Sequence, residues 1–162
     1  TALPEAMATQ GLQWLFPTAQ QLADADLSGI GLPTARAATI RALAGALVEG
    51  RIDFSAERTL DDFVQRWTAL PGIGAWTAHY IAMRALGHPD AFPAGDLVLH
   101  KQLLDASEAE TTPRLRTAAL DRRAEAWRPW RAYAAIHAWR EAALAQGAAN
   151  AGRPNHPPRE AA

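Results

Sequence analysis

The 162-residue chain contains no cysteine, so disulfide frameworks, thiolate zinc sites and iron–sulfur clusters are all excluded. It is also poor in the β-branched residues that suit pleated sheets, with 6 Ile and 3 Val against 38 Ala and 18 Leu. An all-β fold is thereby excluded and a parallel α/β sheet disfavoured, leaving an all-α fold. No apolar run reaches the length that spans a bilayer, and no secretory segment opens the chain, so a cytoplasmic address and no membrane partner are expected. Net charge is scarce as well. The formal value of −1 argues at first sight against a polyanionic partner.

What is present changes that last inference. Residues 112–140 hold seven Arg against two acids, and the rest of the chain is diffusely acidic. Fifteen of the sixteen basic residues are Arg, whose planar fork suits phosphate and carboxylate. The segment bearing Arg114, Arg116, Arg122, Arg123, Arg128 and Arg131 is either a solvated helix face or a surface for phosphates. Six Trp are enough to anchor a core.

Breakers and caps divide the chain into about seven helices. Thr18 caps a short helix to about Asp26, and Thr34 a second that ends at Gly50. Leu60, Phe63, Val64, Trp67 and Leu70 mark the apolar face of a third. Pro71-Gly72-Ile73-Gly74 stops it, and a fourth runs from about Ala75 to Leu86. A loop at residues 87–95, with two Pro and two Gly, precedes a fifth after Asp96. Thr112-Pro113 starts a sixth, and Pro129 a seventh that reaches about Gln146. Residues 1–146 form the expected folded domain, and 147–162 read as a disordered tail.

The stretch 70–96, LPGIGAWTAHYIAMRALGHPDAFPAGD, carries the chemistry. The glycines of Pro71-Gly72-Ile73-Gly74 let another backbone or a phosphate come close. The amides of Gly72, Gly74 and Ala75, at the start of the next helix, suit an anion, and Ile73 is expected to plug back into the fold. A plain Gly-rich αα turn would use the same residues. Asp96 reads as a helix N-cap, a role compatible with being a working carboxylate. Trp76 and Tyr80 share a helix face, where core packing is the ordinary explanation. Trp139 is one aromatic more than the packing of the last helix requires. His79, His88, His100, His137 and His156 show no metal-ligand spacing.

These residues resemble the signature of the helix-hairpin-helix, Gly/Pro-rich-loop, Asp superfamily of DNA base-excision glycosylases. The hairpin and the twenty-residue step from Trp76 to Asp96 both fit. The closer resemblance is to the AlkA-type branch, 3-methyladenine DNA glycosylase II. It is carried by Gly72 to Tyr80, by Trp127 to Ala134 and by the His137-Ala138-Trp139 step. Leu15-Phe16-Pro17-Thr18 and Gly31-Leu32-Pro33 with Arg36-Ala37 are similar to that branch too.

The resemblance implies an enzyme that flips an alkylated purine out of double-stranded DNA and hydrolyses its N-glycosidic bond. Asp96 would be the catalytic carboxylate, and Trp76, Tyr80 and Trp139 the base pocket, attracting a cationic base by about 0.5–2 kcal/mol each. Pro71, Gly72, Ile73, Gly74 and Ala75 would bind DNA. No cofactor is required, although a Na+ or K+ on the main-chain carbonyls of Thr68, Leu70 and Ile73 is implied. Trp76 stands where strand-cleaving relatives carry Lys, so no Schiff-base chemistry is expected. Two departures, Leu97 after the carboxylate and Arg140 after Trp139, make the pocket less aromatic than the branch pattern. The resemblance also implies upstream helices carrying a wedge that fills the vacated stack, and this sequence is expected to begin after them. A monomer or a piece of a longer chain is therefore expected, with an exposed apolar face. The competing reading is a non-catalytic hairpin module, or an inactive fragment, that only binds duplex DNA.

Overall fold

A computed structural model describes residues 14–54 and 59–151. Among these the chain forms eight α-helices and no strand beyond a single bridge residue, Trp14. The helices are α1 (Ala19–Asp24), α2 (Thr34–Val48), α3 (Leu60–Thr68), α4 (Ala75–Ala85), α5 (Leu97–Leu103), α6 (Ala106–Ala109), α7 (Pro113–Ala124) and α8 (Arg131–Ala151). They fall into two compact units, one ending at Gly74 and one beginning at Ala75.

In the first unit, Thr18 and Gln21 close a capping box around the start of α1, which packs on α2. α2 is capped by Pro33 rather than Thr34, and no side chain bonds its first amides. α3 shows the amphipathic face read from the sequence: Leu60, Phe63 and Trp67 are buried, with Phe63 stacked on Trp67 at 4.9 Å. Phe54 meets the same indole at 5.2 Å. Between α1, α2 and Phe54 lies an open groove of about 670 Å³ lined by Phe16, Leu22, Leu27, Leu43 and Leu47.

The turn after α3 requires glycine at one of its two positions. Gly72 has φ 82°, and a Cβ built there would lie 2.0 Å from Oγ1 of Thr39 on α2. The close neighbour at Gly72 is therefore a side chain of the protein's own α2. Gly74 has no such constraint, since a Cβ there meets nothing within 4 Å among the described residues. Leu70 and Ile73 are both buried, and the Ile73 amide donates to the Leu70 carbonyl at 3.1 Å.

The second unit is built on alanine. Ala78 and Ala82 of α4, Ala119 and Ala124 of α7, and Ala132, Ala135 and Ala138 of α8 are all buried, around Leu99 and Leu120. Small side chains let helices approach closely without leaving voids. Two features depart from the sequence expectation. α6 is an eighth helix, a single turn closed by an Asp105–Glu108 capping box. α8 also runs through Gly147 to Ala151, because the Ala-rich stretch continues the helix five residues into the expected tail. Residues 152–162, the remainder of that tail, lie outside the described residues.

Between α4 and α5, Asp90, Ala91, Phe92, Pro93 and Ala94 are all buried, so this unit has a loop inside its core. Loops usually run on the surface because their backbone polar groups need water. This one is held by protein instead: the Ala132 amide donates to the Pro89 carbonyl at 2.9 Å.

Gly72→Ala should lower the unfolding free energy by about 1–3 kcal/mol, whereas Gly74→Ala should cost less than about 0.5 kcal/mol. Urea denaturation curves of the two variants test the contrast.

Candidate active site

Asp96 ends the buried loop and caps α5. Its Oδ1 accepts from the Val98 amide at 2.9 Å and the Leu99 amide at 3.0 Å. The cap bonds orient the carboxylate. Two indoles then reach it from other helices. Trp76 on α4 donates Nε1–H to Oδ2 at 2.9 Å, and Trp139 on α8 donates Nε1–H to Oδ1 at 3.0 Å. Trp76 lies 20 residues before Asp96 and Trp139 lies 43 after it, so tertiary packing alone makes this cluster.

Tyr80 completes the group. Its ring lies nearly parallel to Trp76, 9° between planes and 5.2 Å between centroids, and sits 6.0 Å from Trp139 at 56°. Trp76 is 41% exposed and Tyr80 36%, so these aromatics are not a closed core. The structure thus joins four of the residues singled out from the sequence: Asp96, Trp76, Tyr80 and Trp139. Core packing alone does not account for their exposure. Leu97, beside the carboxylate, is 74% exposed and adds no ring to the cluster.

The electrostatics of Asp96 follow from its partners. Partial burial pushes its pKa up, but the bonds from Trp139, Leu99, Trp76 and Val98 outweigh that, and the net direction is down. Its two oxygens are unequal. Oδ1 accepts three bonds and Oδ2 one, which leaves Oδ2 the oxygen with capacity for another partner.

Behind the site sits a second, purely structural pair. Asp90 is 8% exposed and accepts from Arg131 Nε at 2.7 Å and Nη2 at 2.8 Å, and also from Arg128. Burial raises the Asp90 pKa, but the bonds and charge of Arg131, with the charge of Arg128, outweigh it and hold the group below its ordinary value. This fork ties the loop to the start of α8, the helix that brings Trp139. Sequence reasoning missed the pair, because the partners lie 41 residues apart and neither position has a local signature.

The same geometry reassigns most of the basic segment. Arg123 pairs with Asp105 and Glu108, Arg128 with Glu125 and Asp90, and Arg131 with Asp90. Arg116 donates to the Ala109 carbonyl at 3.0 Å. Four of the six arginines considered for a phosphate surface thus have partners within the unit, of which Asp90 is buried while Asp105 and Glu125 are exposed. Thr68, Leu70, Ile73 and the hairpin residues Pro71–Gly74 lie in the first unit, and Ala75 opens the second. Among the described residues no group of three His, Asp or Glu side chains could hold a metal ion, and no helix is long and apolar enough to cross a membrane. His137 is exposed, and His156 lies outside the described residues.

No protein-family model matches the chain. Individual relatives do. A bifunctional transcriptional activator/DNA repair enzyme AlkA of Mycobacterium tuberculosis is 42% identical over 124 residues, covering 76% of this chain and 24% of that protein. DNA-3-methyladenine glycosylase 2 of Escherichia coli is 35% identical over 127 residues, 76% of this chain and 42% of the relative. The chain is a homologue of the AlkA-type DNA-3-methyladenine glycosylases. It spans less than half the length of these two relatives. The fold agrees: 3-methyladenine DNA glycosylase of Schizosaccharomyces pombe, solved in complex with abasic DNA, superposes with a TM-score of 0.67 at 23% identity. That match covers 76% of this chain and 62% of the other.

Trp139→Phe removes one donor and should raise the Asp96 pKa toward the ordinary carboxylate value, measurable by carbon NMR of the carboxyl group. Because the folded pKa lies below the unfolded one, Asp96 stabilises the fold fully above the unfolded pKa. That contribution is lost as pH falls through the folded pKa. In the variant the loss should begin at the same unfolded pKa, be complete at a higher pH and be smaller in total.

Proposed function

We propose that this homologue is the catalytic part of a monofunctional base-excision glycosylase, acting in the cytoplasm on alkylated purines of the 3-methyladenine and 7-methylguanine type in duplex DNA. The observation that carries the proposal is the Asp96 carboxylate, held ionised by two indoles and two amides beside exposed aromatic faces. A duplex-binding module has no use for such a cluster.

The chemistry follows from the charges. An alkylated purine is cationic, so the electron-rich faces of Trp76, Tyr80 and Trp139 attract it by about 0.5–2 kcal/mol per contact. When the glycosidic bond breaks, its electron pair leaves with the base and neutralises it, and no general acid is needed. The positive charge passes to an oxocarbenium-like sugar. Oδ2 of Asp96 is the atom able to stabilise that charge, or to take the proton from the water that adds to the anomeric carbon. The products are the free base and an abasic sugar. Trp76 occupies the position a lysine nucleophile would need, so the strand remains intact.

Attachment to DNA falls to the hairpin residues Pro71, Gly72, Ile73, Gly74 and Ala75, of which the amides of Gly72, Gly74 and Ala75 suit a phosphate. The residues named for a cation fit one in chemistry: Leu70 and Ile73 belong to one turn, and carbonyl oxygens are hard donors. A Na+ or K+ on the carbonyls of Thr68, Leu70 and Ile73 would supply a fixed positive charge at the hairpin.

Asp96→Asn should cut release of 3-methyladenine and 7-methylguanine from methylated duplex DNA by at least about a hundredfold while leaving duplex binding intact. Chromatography of released bases together with gel-shift titration decides it, and equal release by both proteins would refute the catalytic role.

A further inference from the structure

The buried loop that delivers Asp96 has backbone groups that need partners, and two histidines supply them. The Phe92 amide donates to Nδ1 of His79 at 3.2 Å. The Ala94 carbonyl lies 2.6 Å from Nε2 of His100. A carbonyl only accepts, so Nε2 of His100 carries the proton; an amide only donates, so Nδ1 of His79 is bare. Both rings serve the loop at alternate residues, in its most buried part, where Phe92 is 1% exposed and Ala94 6%. From there the chain turns directly into the carboxylate. The Ala94 amide bonds the Phe92 carbonyl at 3.0 Å, and the Asp96 amide bonds the Pro93 carbonyl at 2.9 Å.

The two histidines are also placed on the helices that build the site. His79 lies on α4 between Trp76, which donates to Asp96, and Tyr80, which stacks on Trp76. His100 lies on α5 one turn after Asp96 itself, and its amide bonds the Asp96 carbonyl at 2.9 Å. His100 is 6% exposed, and its Nδ1 has no hydrogen-bond partner among the described residues, so its one side-chain bond is the one to the loop. Each imidazole therefore locks the loop to the element bearing one half of the Trp76–Asp96 contact.

We infer that His79 and His100 are positioning residues: they hold the loop so that Asp96 meets both indoles in the orientation that leaves Oδ2 available. Neither touches the reacting atoms. The inference rests on Asp96 being the working carboxylate, but its geometric half can be read without activity.

The test uses the full chain, labelled with nitrogen-15, and the indole Nε1–H signals of Trp76 and Trp139, assigned through Trp76→Phe and Trp139→Phe. His79→Asn places an amide oxygen where Nδ1 stood, and His100→Gln places an amide donor where Nε2 stood. His79→Leu and His100→Leu remove the bond at similar volume. The Leu variants should move both indole signals away from their carboxylate-bonded positions. They should also lower single-turnover release of methylated purines about 10–100-fold at unchanged Kd for duplex DNA. The Asn and Gln variants should restore both. Folded Leu variants with wild-type indole signals would overturn the inference, as would Asn and Gln variants that behave like Leu. If a Leu variant does not fold, His79→Asn is compared with His79→Gln, whose oxygen reaches the Nε2 position instead: native signals in Asn alone support the role, and equal signals refute it. If the wild type releases no base, the proposed function falls, and the indole signals still decide the positioning.

Discussion

A loop that lies in a protein core has to find a partner for each of its amides and carbonyls, and the second unit of this chain is arranged around that requirement. Residues Asp90–Ala94 are buried, and water cannot serve them. His79 on α4 and His100 on α5 supply partners within the loop, and the Ala132 amide at the head of α8 bonds the adjoining Pro89 carbonyl. The Asp90 carboxylate adds a fork to Arg131. Each of these bonds also fixes where Asp96 emerges, so the cost of burying a loop is offset by the same interactions that orient the candidate catalytic group.

This arrangement separates two kinds of charge. Asp90 is neutralised by guanidinium groups and has no capacity for a substrate. Asp96 is held ionised by neutral donors, indoles and amides, which lower its pKa without cancelling its charge. A carboxylate kept negative by dipoles retains its field for a developing cation, whereas one paired with arginine has already spent it. The basic segment belongs to the first kind. Its arginines read in sequence as either a solvated helix face or a surface for phosphates, and Arg116, Arg123, Arg128 and Arg131 bond groups within the unit.

Much of the candidate site was legible because it rests on local rules. Asp96 before an apolar run is a cap, and the cap bonds are present. Trp76 and Tyr80 four residues apart share a helix face, and their rings stack. Gly72 in a Pro-Gly-Ile-Gly turn signals a tight backbone, and its φ is positive. The reason for tightness at Gly72 was not legible, since Thr39 lies on a different helix and nothing in the turn announces it. The extra helix α6 was hidden by its length, one turn without periodicity, and the end of α8 by an Ala-rich stretch that reads as low complexity while being strongly helix-forming.

The sequence by itself determined the helical class, the breakers that divide the helices, and which residue types could attract a cation or hold an anion. These are properties of composition and of spacing within one turn, and they survive any packing. Tertiary structure decided which of those residues meet. It brought Trp139 across 43 residues to the carboxylate that Trp76 also serves, and it joined Arg123, Arg128 and Arg131 to carboxylates. It also made two histidines without metal-ligand spacing, His79 and His100, partners of the loop. The physical reason is that a hydrogen bond between distant segments depends on where packing places donor and acceptor, and no periodicity along the chain encodes that distance.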